Sequence, residues 1–371
     1  MVDLVPVNEP FIGEQEAQFV LECLRTGWIS SEGRFIREFE ERWAAYCGMA
    51  HGVAVSNGTV ALEIALTCLD LQPGDEVILP TFTIISCAQA VTRNGGRPVL
   101  VDSDPHTWCM DVNQVAARIT PRTRAIMPVH MYGHPVDMDP LLALAQQYDL
   151  TVIEDAAEAH GAEYKGRKCG GMGHLNCFSF YANKIVTTGE GGMVLARDAR
   201  QAERLRSLRN LCFQKERRFY HTELGGNYRL TNLQAAVGLA QVERIEESVA
   251  KKRWMAGEYN QRLGGLPMLH LPVEQPWARN VYWMYGLVLD EAAGMDAAEF
   301  ARRLAEKGIM TRPFFLGMHE QPAFHAMGLF QGERYPVAER IARQGLYLPS
   351  GMTLSQAQIE RVCQAIHEVL S

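Results

Sequence analysis

Two residues whose side chains could do chemistry, Lys184 and Asp155, stand in surroundings that are unusual for charged groups. Lys184 follows the largely aromatic segment 178–181 (FSFY) and precedes the glycine-rich turn 189–192 (GEGG). Asp155 comes directly after 152–154 (VIE), which reads as a buried strand that ends in an acid. A lysine with apolar neighbours loses its proton more readily than a surface lysine and can then attack a carbonyl group. A carboxylate in a low-dielectric environment needs a partner.

A desolvated amine and a strand-end carboxylate together suit the cofactor pyridoxal 5'-phosphate (PLP). Its aldehyde forms a Schiff base with a lysine amine, and an acid keeps its pyridinium nitrogen charged. Each residue also has an ordinary interpretation, in which Asp155 caps the next helix and Lys184 is a solvated loop lysine. The aromatic and glycine residues that flank Lys184 favour the reactive role.

A second group of candidates lies at 56–59 (SNGT), between the predicted strand at 51–55 and a helix. A small turn at the start of a helix offers backbone N–H groups and a hydroxyl to an anion, which makes Gly58 and Thr59 candidates for binding phosphate. The alternative is that this turn only caps the helix. Ser179, five residues before Lys184, is a further phosphate candidate or an ordinary strand hydroxyl.

A third polar cluster, 224–232 (LGGNYRLTN), stands before a long helix. From the residues alone it is interpreted as a capped helix start with an exposed arginine, Arg229.

The composition limits the class of protein. The chain has 371 residues, 47% of them hydrophobic and 21% charged, which is typical of a globular protein with room for two domains. A net charge of −7 argues against nucleic acid as a partner. The nine cysteines form no C-x-x-C pair, and the histidines lack metal-ligand spacing, so we expect a reduced cytoplasmic protein without a metal. No apolar run is long enough to span a membrane.

The order of the elements predicts an α/β fold. Strands at 51–55, 76–79, 98–101, 124–128 and 151–153 alternate with helices at 35–46, 84–93, 111–118 and 137–148. This alternation is typical of a mostly parallel sheet that is covered on both faces and binds ligands at the carboxyl ends of its strands. One long helix or two joined helices at 232–262 then lead into a smaller α+β part, with a strand near 283–289 and a helix at 297–307. We place the domains at 1–245 and 246–371.

Four motifs carry a family resemblance. SNGT (56–59), VIEDAAEAHG (152–161), FSFYANKIVTTGEGG (178–192) and GGNYRLTN (225–232) resemble, in order and spacing, those of the nucleotide-sugar aminotransferases, a DegT/StrS-like family of fold-type-I PLP enzymes. The similarity runs from about Pro10 to the last helix. It implies a large domain with a mostly parallel, seven-stranded sheet and a smaller α+β C-terminal domain.

The resemblance also implies a role for each matching residue. Lys184 would carry the Schiff base and move the proton between cofactor and sugar, Asp155 would pair with the pyridine nitrogen, and Glu158 would lie near the ring hydroxyl. Phosphate would be bound by Gly58, Thr59 and Ser179. Asn227 would complete that site from the neighbouring subunit of a homodimer with shared active sites. Candidates for contacts with the substrate are Arg229, Arg312 and His319.

Two positions refine these expectations. Ile84 stands where the family often has an aromatic ring stacked on the cofactor, so it would pack on the ring face without π-stacking. Lysine at position 184, where a related dehydrating group has histidine, favours transamination because an imidazole cannot form the Schiff base.

The segments 26–36, 119–133 and 227–244, together with Glu158, resemble the family members that act on a GDP-linked sugar. We therefore expect a 4-aminotransferase acting on GDP-4-keto-6-deoxymannose, with glutamate as donor and pyridoxamine 5'-phosphate as the intermediate cofactor form. The product would serve a bacterial surface polysaccharide such as the O-antigen of lipopolysaccharide. The alternatives are a dTDP-linked or 3-keto sugar as substrate and a non-enzymatic regulatory protein on the same fold.

Overall fold

The computed structural model of the chain describes residues 4–214 and 216–371. The strands are β1 (His51–Val55), β2 (Glu76–Pro80), β3 (Arg97–Val101), β4 (Thr123–Ile126), β5 (Thr151–Asp155), β6 (Glu163–Tyr164), β7 (Arg167–Lys168), β8 (Leu175–Ser179), β9 (Gly192–Ala196), β10 (Leu269–His270), β11 (Ala278–Arg279), β12 (Gly286–Leu289), β13 (Arg312–Pro313) and β14 (Gly345–Tyr347). The α-helices are α1 (Glu14–Thr26), α2 (Arg34–Tyr46), α3 (Gly58–Thr67), α4 (Ser86–Arg93), α5 (Met138–Gln147), α6 (Ala199–Leu208), α7 (Asn232–Glu243), α8 (Ile245–Leu263), α9 (Ala297–Glu306), α10 (Pro322–Ala326), α11 (Pro336–Gln344) and α12 (Gln356–Leu370).

A seven-stranded sheet lies at the centre of the larger part of the chain, in the order β1-β9-β8-β5-β4-β2-β3. The strands from β8 to β3 pair in parallel, whereas β9 runs antiparallel to both β8 and β1. The prediction of a mostly parallel sheet is therefore confirmed. Because β1, β5 and β8 run in the same direction, their carboxyl ends meet at one edge of the sheet.

The helices cover this sheet with apolar faces that the sequence spacing sets. In α2, Phe35, Phe39 and Trp43 follow one another at helical intervals and are almost completely buried. This face packs α2 against β1 and α7, and α1 also lies on α7. Helix α3 packs on β8 and β9 and also contacts α4. Burial of these faces fixes the loops at the carboxyl edge, which is where a ligand would bind.

A second, antiparallel sheet of four strands, β10-β12-β14-β13, lies in the C-terminal part of the chain. It has its own core, in which Tyr259 of α8, Phe300 of α9 and Ile366 of α12 are fully buried. Val5 belongs to this core and forms a bridge with Ile309. The N-terminal segment therefore packs with the C-terminal part, and the division at residue 245 stays a prediction.

The prediction of a helix at 111–118 is wrong. The structure has two short 3-10 turns there, Val112–Gln114 and Ala116–Arg118. The Asp111 side chain accepts a hydrogen bond from the Asn113 N–H, which closes a tight local turn. Ile119 is extended, so the helical backbone ends there and the chain continues towards β4.

The second structural difference concerns the strand predicted near 283–289, of which only Gly286–Leu289 is a strand. The preceding residues form an irregular segment in which Tyr282 has a φ of 48°. At 232–262 the structure has two joined helices, one of the two arrangements expected. Among the described residues we find no helix with the length and apolarity that crossing a bilayer requires.

Candidate active site

A cavity of about 320 Å³ opens at the carboxyl edge of the large sheet, which is large enough for a small ligand. Its walls also include Trp283, Phe315 and Tyr347 from the C-terminal part of the chain. The structure brings together six of the residues proposed from the sequence, which all line this cavity: Gly58, Thr59, Asp155, Glu158, Ser179 and Lys184.

The Lys184 amine projects into this cavity from the loop between β8 and β9. Its Nζ atom lies 3.6 Å from the centroid of the Trp283 ring. Burial lowers the pKa of Lys184, while the nearby carboxyl groups of Glu158 and Asp155 act in the opposite direction. A lowered pKa increases the neutral fraction of the amine, and the neutral amine is the form that attacks a carbonyl group or accepts a proton.

Asp155 ends β5 and is 3% exposed. Its Oδ1 atom accepts a hydrogen bond from the Ala157 N–H at 3.0 Å, and its Oδ2 atom accepts one from the Cys87 thiol at 3.2 Å. Burial raises the pKa of Asp155. The residues that follow form turns instead of a helix, so Asp155 caps no helix here. A buried carboxyl with these two donors is a suitable partner for a positively charged ring nitrogen.

Glu158 is the second buried acid of the cavity, with 6% exposure. Its Oε2 atom accepts a hydrogen bond from the Tyr132 N–H at 2.8 Å. Burial raises the pKa of Glu158 to about 7, although Lys184 and the Tyr132 N–H favour its charged form. The carboxyl group can therefore change its protonation state near neutral pH.

Replacing Glu158 by glutamine should change how stability depends on pH. Its folded-state pKa of about 7 exceeds the ordinary value of 4.5, so between these pH values the folded chain binds more protons than the unfolded chain. The free energy of unfolding of the original protein therefore falls as pH rises through this window. Relative to the original protein, Glu158→Gln should therefore gain about 1–3 kcal/mol in free energy of unfolding as pH rises through this window. Urea unfolding of both cofactor-free proteins at pH 5 and 8 tests this. If the two proteins differ in free energy of unfolding by the same amount at both pH values, the prediction is wrong.

The turn before α3 supplies groups for an anion. The Asn57 side chain caps the helix by accepting the Val60 N–H at 2.9 Å. The N–H groups of Gly58 and Thr59 have no partners inside the helix because they belong to its first turn. The Thr59 hydroxyl lies 2.8 Å from that of Ser86. A Cβ atom at Gly58 would lie 2.7 Å from Ser179 Cβ, so glycine lets the helix start close against β8.

The groups that line this cavity match the parts of PLP, which has a phosphate, a ring nitrogen and an aldehyde. An anion site formed by a helix start and hydroxyl groups lies in the same cavity as a buried acid and a partly buried amine. Ile84 also lines the cavity and offers an aliphatic surface to a ring.

Four of the proposed residues do not line the cavity formed by the described part of this chain. Asn227 is exposed and forms a bridge with Asn210, whose side chain accepts a hydrogen bond from Arg229 at 2.6 Å. Arg312 is exposed in β13. These three roles stay predictions.

His319 is also outside the cavity, and it is buried. Its Nδ1 atom lies 2.7 Å from the Thr81 hydroxyl, and its Nε2 atom lies 3.2 Å from Glu339 Oε1. Both ring nitrogens therefore have protein partners, and a contact with substrate would require one of these bonds to break.

Several residues in and around the cavity wall were not predicted from the sequence. Trp283 and Tyr347 reach the cavity from the C-terminal part of the chain, and behind the wall Cys87 of α4 contacts Asp155. The run 282–285 (YWMY) is the one local signal that could have drawn attention to Trp283, because four large residues in succession are unusual in an exposed loop.

The structure also brings together a buried group that the spacing of the histidines did not indicate. Ligand atoms of His130, Glu154 and Cys169 lie within 4.8 Å of one another. The Glu154 carboxylate already receives hydrogen bonds from His130 Nε2, at 2.8 Å, and from the N–H groups of Gly170, Met172 and Gly173. These bonds hold the loop before β8 against β5 and so fix the neighbouring Asp155.

Comparison with known proteins identifies the family of the chain. The model of the DegT/DnrJ/EryC1/StrS aminotransferase family matches residues 10–367. The chain is 44% identical to a GDP-perosamine synthase of Caulobacter vibrioides over 367 residues, which cover 99% of this chain and 98% of that protein. It is 39% identical to a GDP-perosamine synthase of Escherichia coli O157:H7, with 99% of each chain covered.

The fold has a similarly close counterpart among solved structures. The crystal structure of S. venezuelae DesV in complex with a ketimine intermediate superimposes with a TM-score of 0.89 at 38% identity, covering 96% of this chain and 94% of that one. The chain belongs to the DegT/DnrJ/EryC1/StrS aminotransferase family and is a PLP-dependent aminotransferase.

Proposed function

We propose that this chain transfers an amino group from glutamate to C4 of a nucleotide-linked 4-keto-6-deoxy sugar, converting GDP-4-keto-6-deoxymannose to GDP-perosamine. The observation that carries the proposal is the position of the Lys184 amine in one cavity with the buried carboxyl groups of Asp155 and Glu158. The two GDP-perosamine synthases described above, which are similar over nearly their full lengths, support the choice of sugar.

When bound, PLP supplies an aldehyde that bonds to an amine and a ring that withdraws electrons from the neighbouring carbon. Lys184 offers that amine and, when released, moves a proton to or from the substrate carbon that bears the nitrogen. The lowered pKa of Lys184 favours its proton-accepting form. Asp155 stabilises positive charge on the ring nitrogen, since its carboxyl group is buried and held by two donors.

The remaining cavity residues would position the cofactor. The N–H groups of Gly58 and Thr59 and the hydroxyl of Ser179 would hold its phosphate. Glu158, fixed by the Tyr132 N–H, would lie near its ring hydroxyl. Glutamate and the keto sugar would then occupy the same cavity in turn, because both must present a carbon to Lys184. Ping-pong kinetics are the expected consequence.

The active unit in this proposal is a homodimer. Asn227 is exposed in the single chain, although its proposed role is to bind phosphate. Nearby residues Phe219 and Leu224 are 82% and 91% exposed, as expected of a surface that another chain covers. We therefore propose that Asn227 contributes to the phosphate site of the neighbouring subunit.

Mixing two variants, each of which is expected to be inactive alone, tests this arrangement. In a heterodimer of Lys184→Ala and Asn227→Ala chains, one site would contain both defects and the other neither. Activity should therefore reappear when the variants are unfolded and refolded together, and subunit exchange can be followed by native mass spectrometry. Heterodimers that form without regaining activity would contradict an Asn227 role in trans.

The choice of substrate is tested by measuring amino transfer from glutamate to GDP- and dTDP-linked 4-keto-6-deoxy sugars, with a 3-keto sugar as a third acceptor. We expect a kcat/KM for the GDP-linked 4-ketone at least about 10²-fold above the others, which is the discrimination that a few well-formed hydrogen bonds provide. A preference for a dTDP-linked or 3-keto sugar would refute the proposed substrate while leaving the aminotransferase chemistry in place.

The proposed compartment is the cytoplasm. All nine cysteines, which lie within the described residues, are free thiols. Unpaired cysteines in this number support a reducing environment.

A further inference from the structure

The Lys184 amine lies over the ring of Trp283, which forms part of the cavity wall. The Nζ atom lies 3.6 Å from the ring centroid, a distance typical of a cation–π interaction. Trp283 is 4% exposed, so water competes little for the amine at this face. The C-terminal part of the chain therefore directly contacts the amine of Lys184, which lies in a loop of the larger part.

Several hydrogen bonds and ring contacts hold Trp283 in this position. Its Nε1–H group donates to the Asn183 carbonyl at 2.8 Å, next to Lys184 itself. The ring of Tyr132 lies nearly parallel to it, with centroids 6.2 Å apart. On the backbone, the Trp283 carbonyl accepts a hydrogen bond from Lys252 Nζ at 2.9 Å.

Lys252 is a buried lysine of α8 that the proposed reaction does not use. It is 1% exposed, and its amine donates to the carbonyls of both Trp283 and Ser350. Burial lowers the pKa of Lys252 to about 7. Because a neutral amine still has two N–H groups, it can donate to both carbonyls in either protonation state. Lys252 therefore ties the Trp283 backbone to α8 and to the loop after β14.

The backbone next to Trp283 is held equally firmly. Tyr282 has a φ of 48°, which residues with side chains rarely adopt, and its N–H donates to Asn280 Oδ1 at 2.8 Å. Gly133 has a φ of 103°, and a Cβ atom there would lie 2.8 Å from the backbone nitrogens of both Tyr282 and Trp283. This strained, closely packed segment needs fixed anchors, and Lys252 is one of them.

We propose that the face of Trp283 is the resting site of the Lys184 amine whenever that amine is free of cofactor, and that Lys252 is the positioning residue that holds Trp283 there. This rests on the proposed function for the importance of Lys184, but the contact itself is a property of the protein alone. The negative face of the indole ring favours the protonated amine, so it partly opposes the effect of burial on the Lys184 pKa and would hold the amine in one place after it has accepted a proton.

Other ionisable groups act on the same amine. Asp155, Glu158 and Cys87 face Lys184 from β5, the turn after it and α4, and His160 lies close enough for Lys184 to lower its pKa. Glu190 and Tyr347 line the same cavity. A test must therefore change the electrostatics of the Trp283 ring without changing these groups.

Fluorinated tryptophan provides such a test, because fluorine weakens the negative ring face with little change of shape. The full-length, cofactor-free protein is produced with tryptophan or with 5-fluorotryptophan, and the pKa of Lys184 is measured from the pH dependence of its acetylation, read by mass spectrometry of its peptide. We expect fluorination to lower this pKa by roughly 0.2–0.7 units. No change in the otherwise unaltered protein overturns the proposal.

Variants show which tryptophan and which lysine are responsible. In Trp283→Leu, fluorination should have no effect on the Lys184 pKa, and in Lys252→Met its effect should be reduced to less than half. Lys251→Met is the matched control, since Lys251 neighbours Lys252 on α8, donates to the Leu354 carbonyl at 2.9 Å and lies over Trp254 instead. This control should respond as the original protein does.

Two results would count against the proposal. A full fluorination effect in Trp283→Leu would mean that another ring is responsible, and a full effect in a folded Lys252→Met would remove Lys252 from the account. If Lys252→Met does not fold, Lys252→Gln, which keeps an N–H donor for one carbonyl, should give an intermediate effect, and a full effect there refutes the positioning role. The labelling uses no substrate or cofactor, so its outcome is separate from that of the aminotransferase assays.

Discussion

Replacing Lys184 by alanine is expected to lower kcat by at least about 10³-fold while the chain remains folded. The substitution removes both the nucleophilic amine and the group that moves the proton at the substrate carbon. In the described part of the chain the Lys184 side chain contacts the Trp283 ring but makes no hydrogen bond to the cavity walls, so its loss should leave the urea midpoint close to that of the original protein. Coupled assays of amino transfer, together with urea unfolding, measure the two effects.

Two further variants separate the chemistry of Lys184 from its charge. Lys184→Arg keeps a cation that can lie over Trp283, but a guanidinium remains protonated and does not attack an aldehyde. It should therefore be as inactive as the alanine variant. Lys165→Ala removes an exposed lysine paired with Asp139 and should retain activity. Substantial turnover by Lys184→Ala would contradict the role assigned to this amine.

Replacing Asp155 by asparagine should lower kcat by roughly 10²- to 10³-fold. Asparagine has nearly the same shape, and its oxygen can still accept the Ala157 N–H, so the local turn should survive. What it lacks is the negative charge that stabilises a protonated ring nitrogen. We therefore expect a loss of rate that greatly exceeds any loss of stability, measured by single-turnover kinetics and urea unfolding.

An exposed acid provides the control for Asp155. Asp139 forms surface ion pairs with Lys165 and Arg167, and such pairs contribute little to stability. Asp139→Asn should therefore keep nearly full activity. If Asp155→Asn retained a rate within a few-fold of the original protein, the carboxylate at the end of β5 would not be the partner of the cofactor ring.

The part of the site that could be predicted from the sequence is the part built from local patterns. Asp155 was recognised because an apolar strand ends there, and Lys184 because aromatic and glycine residues flank it. The parallel sheet then brings the ends of β1, β5 and β8 to one edge, which explains why residues so far apart in the chain share one cavity.

The rest of the site depends on contacts between distant segments. Trp283 reaches Lys184 because Gly133, Tyr282 and Lys252 shape the backbone around it, and no local periodicity describes such an arrangement. His319 illustrates the reverse case: its residue type suits substrate binding, but tertiary packing directs both its nitrogens to Thr81 and Glu339. Sequence patterns indicate what a residue can do, whereas packing decides what it contacts.

The secondary structure was predictable to a similar extent. Helix α2 was found because its apolar residues recur over three turns and are buried. The segment 111–118 also has a helical pattern, but the side chain of Asp111 favours a tight turn at its start.

The most direct test of the central claim is reduction of the PLP-saturated protein with borohydride, followed by proteolysis and mass spectrometry. Reduction makes any imine between the cofactor and a lysine permanent, so the modified residue can be identified. We predict one modified lysine, Lys184, and no incorporation in Lys184→Ala. Cofactor attached to another lysine, or saturated protein in which the Lys184 amine stays unmodified, would contradict the account.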